Sequence, residues 1–99
     1  MTGAVLGSSR PRAVKLTEAI ARLIVDDVVA RDLPAGAALP REAEMAELYG
    51  ASRATVREAL RMLEANGLVR VRPGRYGGPQ VGEADPVALL ATKTIEHGQ

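Results

Sequence analysis

The chain has no cysteine, no tryptophan and no phenylalanine, and only two tyrosines. Without cysteine there is no disulfide framework and no thiolate metal site. That composition fits a reducing cytoplasm, and the core has to be aliphatic, built from Leu, Ile, Val, Ala and Met. The one histidine, His97, stands near the end of the chain, so neither a His-based triad nor a histidine metal site is expected. No long apolar run opens the sequence, so a signal peptide and a membrane helix are not expected; the protein is predicted to be soluble and cytoplasmic, with no membrane partner. No phosphate-cradling loop follows a strand, and Glu42, Glu44 and Glu47 read as a solvated helix face rather than a catalytic pair. An enzyme is therefore not expected, and neither cofactor nor metal is predicted.

What is present points elsewhere. The 99 residues, 46% of them hydrophobic, suffice for one small domain with tails. Net charge is only +1, from 13 basic and 12 acidic residues. The charge is unevenly spread: residues 52–76 carry six arginines against two glutamates, a local excess of +4, and the remainder sums to −3. Such asymmetry is expected of a face that meets a polyanion; on charge alone an ordinary solvated surface explains it equally well.

Residues 51–61 decide between these. Ser52 is a favoured N-cap, because its hydroxyl can accept a bond from a free N–H of the first turn. Behind it Val56, Ala59, Leu60 and Leu63 recur at helical spacing and form one apolar stripe. Arg53, Arg57 and Arg61 recur every fourth residue and form a second stripe beside it. One side can bury while the other presents guanidinium groups, which fork onto phosphate or onto the O6/N7 edge of guanine. The pattern predicts a DNA recognition helix.

The flanking chain supplies a frame for it. Residues 1–12 are aperiodic and contain Gly, Ser and Pro, as expected of a flexible arm. Residues 13–32 have helical periodicity, with Leu16, Ile20, Leu23, Ile24 and Val28 on the expected buried face. Pro34 and Gly36 follow as stop signals. Residues 37–39 are a short extended piece, able to act as a strand of a very small sheet. A second helix over residues 41–49 should bury Met45, Leu48 and Tyr49. Glu42 and Glu44 sit in its first turn, where they favour the positive end of the dipole, and Gly50 stands where a left-handed residue ends a helix. Only Gly50, Ala51 and Ser52 join it to the next helix, and a tight Gly-containing turn between two amphipathic helices is a helix-turn-helix.

Helix three runs to about residue 66 with Gly67 as its stop. Beyond it Val69 and Val71 alternate with Arg70 and Arg72, as in a half-buried strand. Residues 73–78 are turn-rich, and residues 79–81 can return as the partner strand. The predicted fold is thus mainly α with a small β-wing: a winged helix-turn-helix of three helices plus a short antiparallel sheet over residues 13–82. Gly74 and Arg75 form the wing tip, a slim backbone and a cation able to reach a minor groove or a phosphate. Tyr76 has two readings, a phosphate contact or a filler of the wing base. Residues 83–99 read as a linker and the start of a further helix.

The run Leu39-Pro40-Arg41-Glu42, the run from Ser52 through Arg53, Thr55, Val56, Arg57, Glu58, Ala59 and Leu60, the Gly67-Leu68 step and the Gly-rich wing fall in an order that closely resembles the DNA-binding domain of GntR-family bacterial transcription regulators. The resemblance covers residues 13–81. It implies a winged helix that binds a palindromic double-stranded DNA operator as a homodimer. It also implies a larger C-terminal domain, outside these residues, that binds a small-molecule effector and dimerises; the tail from Ala84 resembles the first helix of the FadR-type effector domain. By the same resemblance Ser52 meets phosphate, Arg53 is the principal base reader, Arg57 meets phosphate or base, and Gly74 approaches the minor groove.

The chain departs from the family pattern in helix two. Arg41 stands where the family commonly has serine, and Ala43 where it commonly has an arginine that contacts DNA, leaving Arg41 as the candidate substitute. Ala54 lacks a hydroxyl often found there. Thr55 either meets a thymine methyl or phosphate or steadies the helix start. Arg61 either meets the DNA backbone or pairs with Glu58 or Glu64. The alternative function is a winged-helix protein-interaction module without nucleic acid.

Overall fold

The computed structural model describes residues 2–87, with side chains described from residue 13 onward. Its elements run α1 (Thr2–Ala30), α2 (Glu42–Tyr49), α3 (Arg53–Ala65), β1 (Val69–Arg72) and β2 (Gly78–Val81). Helix α1 thus starts N-terminal to the position where periodicity placed it. It ends in a turn in which Asp32 takes φ +53°, while the amides of Asp32 and Leu33 return to the carbonyls of Val29 and Val28. The stop therefore precedes Pro34. Most of the helix expected after Pro86 lies outside the described residues.

The core is aliphatic throughout. Ile20, Ala21, Ile24 and Val28 of α1 meet Val56, Ala59, Leu60 and Leu63 of α3, with Leu39, Met45, Val69 and Val81 closing the sides. Packing of α1 on α3 is the most extensive helix contact, and α2 packs on α3 as well. Several expected core residues are not core. Leu16 and Leu23 are 47% and 44% exposed, and Leu48 is 64% exposed. All three lie on the margin of an apolar stripe, and the neighbouring helices cover only its centre. Tyr49 is half-buried against the core, as expected.

The strands β1 and β2 pair antiparallel, with Val69 opposite Val81 and Arg72 opposite Gly78. A third segment joins them: Ala38 bridges Gln80, the Leu39 amide donates to the Pro79 carbonyl, and the Val81 amide donates to the Ala37 carbonyl. The short extended piece before α2 therefore bridges to β2, while the sheet itself keeps two strands. Only the lower end of β1 is covered. Val69 is buried, but Val71 is 40% exposed, because the wing projects past the edge of the helices.

Candidate nucleic-acid interface

The link between α2 and α3 sets the site. Gly50 adopts φ +62°, ψ +38°, the left-handed conformation that ends a helix at little cost only for glycine. Its amide and that of Ala51 return to carbonyls of the last turn of α2. Ser52 follows in extended geometry and caps α3: its Oγ accepts from the Thr55 amide at 3.1 Å and lies 2.9 Å from the Thr55 hydroxyl. Both hydroxyls thus build the helix start, and Ser52 stays on the exposed surface.

Helix α3 then separates its two stripes. Val56 and Ala59 are fully buried, while Arg53, Arg57 and Arg61 are all exposed. The guanidiniums do not wave freely. Arg57 forks onto Glu42 at the start of α2, with Nε donating at 2.9 Å and Nη2 at 2.8 Å. Arg53 Nε donates to the same carboxylate at 3.3 Å. Glu42 is the hub, and its side chain retains only 22% exposure. The hydrogen bond and charge of Arg57 hold its carboxyl below the usual value of 4.5, against an opposing effect of desolvation. Arg61 takes a different partner, Glu58, at 2.9 Å on its own helix. In the free protein this is the intramolecular pair that the sequence left as one of two readings.

The second half of the site is the wing. Gly74 has φ +97° with open space where a side chain would stand, so the tip is narrow as well as left-handed. Arg75 projects beside it, its guanidinium 5.9 Å from the exposed ring of Tyr76. Tyr76 therefore does not fill the wing base; it is 89% exposed at the tip, because the turn carries it beyond the two strands. Arg41 reaches across from the N-cap of α2 and donates from Nη2 to the Arg75 carbonyl at 2.7 Å. Its own amide donates to the Glu44 carboxylate at 3.0 Å, fixing the first turn of α2.

The predicted residues thus fall into two neighbouring groups: Ser52, Arg53, Thr55 and Arg57 at the start of α3, and Gly74 and Arg75 at the wing tip, with Arg41 strapping the second group to α2. Arg61 lies on the same helix, two turns from its start. Sequence reasoning missed Glu42 as part of this assembly. Its sequence position reads as a solvated first turn, and nothing in local spacing reveals a bond that spans 15 positions of chain.

Three helices, a helix-turn-helix link, an exposed arginine row on α3 and a two-stranded wing define a winged helix-turn-helix domain. The profile of the family described as "Bacterial regulatory proteins, gntR family" matches residues 16–76. The chain belongs to this GntR family, as its motifs implied. Among its relatives is the HTH-type transcriptional regulator Mce2R of Mycobacterium tuberculosis, 51% identical over 57 residues, which span 58% of this chain and 24% of that protein. Among solved structures, a Streptococcus agalactiae GntR protein superposes with a TM-score of 0.59 at 35% identity, covering 67% of this chain and 31% of the other. The Bacillus subtilis protein YydK shares the fold, with a TM-score of 0.65 at 23% identity over 71% of this chain and 30% of its own. The chain spans about a quarter of the length of such curated relatives.

Proposed function

We infer that this domain binds a palindromic operator as a homodimer, with one α3 in each major groove and each wing against an adjacent minor groove or phosphate. Half-sites about one helical turn apart suit that geometry. Arg53 reads a base, with guanine the natural partner for its fork. Arg57 and Arg61 meet base or phosphate, and Ser52 and Thr55 present hydroxyls to the backbone at the helix start. Gly74 and Arg75 approach through the wing. Arg41 acts through the wing backbone that it holds, taking the place of the family's helix-two arginine without its direct contact. A C-terminal domain outside these residues reinforces the dimer that forms on the two half-sites and gives any response to a small-molecule effector, and the regulator works in the cytoplasm.

The observation that supports this reading best is the exposed arginine row on α3, fixed at its base by the aliphatic packing of Val56, Ala59, Leu60 and Leu63. Selection of bound sequences from random duplexes tests it. The expected product is an inverted repeat containing guanine, bound with an affinity that falls steeply with salt as condensed counterions are released. Failure to enrich any sequence, or binding indifferent to salt, would refute it; the first result would point to a protein partner.

A further inference from the structure

Glu42 stands where a DNA-binding surface least tolerates a negative charge. It faces the arginine row and occupies both nearest guanidiniums at once, Arg57 through two bonds and Arg53 through one. A carboxylate there repels phosphate and cancels part of the local positive field. Its presence therefore weakens any binding that depends on charge alone. The same carboxylate orders Arg53 and Arg57, whose long side chains otherwise lose rotamer freedom when they engage a base.

The two pairings are unequal in a useful way. Arg57 is held by a fork with bonds of 2.9 and 2.8 Å, whereas Arg53 is held by a single 3.3 Å contact. An exposed ion pair is worth roughly 0.2–1 kcal/mol, and a bidentate arginine–guanine pair about 1–3 kcal/mol. A guanine edge can thus take Arg53 from Glu42 while Arg57 keeps its Nε and Nη2 fork and turns its Nη1 to the duplex. A lone phosphate offers less geometric return for the same release.

We propose that Glu42 is a specificity-determining positioning residue: by holding Arg57 and aiming Arg53, it suppresses binding to arbitrary DNA more than binding to the operator. This rests on the DNA-binding reading given above. Glu42 contacts neither base nor phosphate in this role.

The test compares the full chain with its Glu42→Gln variant on two duplexes, the sequence that the wild type selects and a scrambled version of it, across a salt series. Glu42→Gln is expected to bind scrambled DNA more tightly and to lower the operator-to-scrambled ratio by about 2–5-fold, the scale of one exposed ion pair. Its log–log salt slope on scrambled DNA should steepen by about 1, because Arg57 becomes free to neutralise a phosphate. Glu42→Asp keeps the charge but shortens the reach, so it should keep the wild-type salt slope and lose part of the discrimination. Thermal melting of both variants identifies any loss of fold. Equal weakening on both duplexes, or an unchanged ratio and slope, would overturn the role of Glu42 and leave the DNA-binding reading standing. A wild type that does not distinguish the two duplexes would overturn both.

Discussion

Arg53 and Arg57 differ in what they surrender when a duplex arrives. Arg53 has one long bond to lose and is 65% exposed; Arg57 has a short fork and is 51% exposed. Arg53 is therefore the residue expected to read a base. Arg53→Ala should cost about 1–3 kcal/mol in discrimination at one operator position and leave the melting temperature nearly unchanged; competition binding with single-base operator variants measures it. Arg57→Ala should instead weaken all duplexes more evenly. The Glu42 pair also carries a pH dependence. Its folded pKa lies below 4.5, so its contribution is fully present above the ordinary carboxylate value and is lost as pH falls through the folded one. Melting curves of wild type and Glu42→Gln should accordingly differ at neutral pH and converge in acid. A constant difference would show that the effect is steric rather than ionic.

At the scale of elements, the hidden and the legible parts have distinct causes. Period and punctuation revealed α2, α3 and both strands to within a residue or so, because Ser52, Gly50, Gly67 and the alternation from Val69 act locally. Leu16, Leu23, Leu48 and Val71 are exposed against expectation, because an apolar stripe reveals a face but not how much of it a neighbour covers. Arg41 and Glu42 were the larger gap: their partners, Arg75 and the pair Arg53 and Arg57, come from other elements, and only the assembled fold brings them together. Two predictions belong here. Ser52→Ala removes the bond to the Thr55 amide and should cost roughly 0.5–2 kcal/mol in stability, read by denaturant unfolding. Arg41→Ala frees the wing at Arg75, so amide exchange over residues 74–77 should quicken while that of α3 stays slow. Unchanged exchange would refute the strap.

At the scale of the whole molecule, the charge pattern and the fold agree. A net charge near zero conceals a basic α3 and wing set against an acidic remainder, so the molecule can orient toward a polyanion before contact. One such domain offers only a short helix and a narrow wing. Two of them joined should gain affinity through effective concentration without any new contact. A tandem fusion of the chain through a flexible linker should therefore bind the selected inverted repeat far more tightly than the single chain does, and lose that gain when the half-sites are moved apart by half a helical turn; gel-shift titration checks both.

The central claim is that the start of α3 and the wing tip together enter a duplex. Titration of isotope-labelled protein with its selected duplex, followed by NMR through the backbone amides and the arginine Nε–H resonances, tests it most directly. The account predicts that the largest shifts fall on residues 52–57 and 74–75, with the Nε–H signals of Arg53 and Arg57 among them and the exposed side of α1 unmoved. Shifts gathered on α1, with the Nε–H signals of Arg53 and Arg57 still in place, would contradict it.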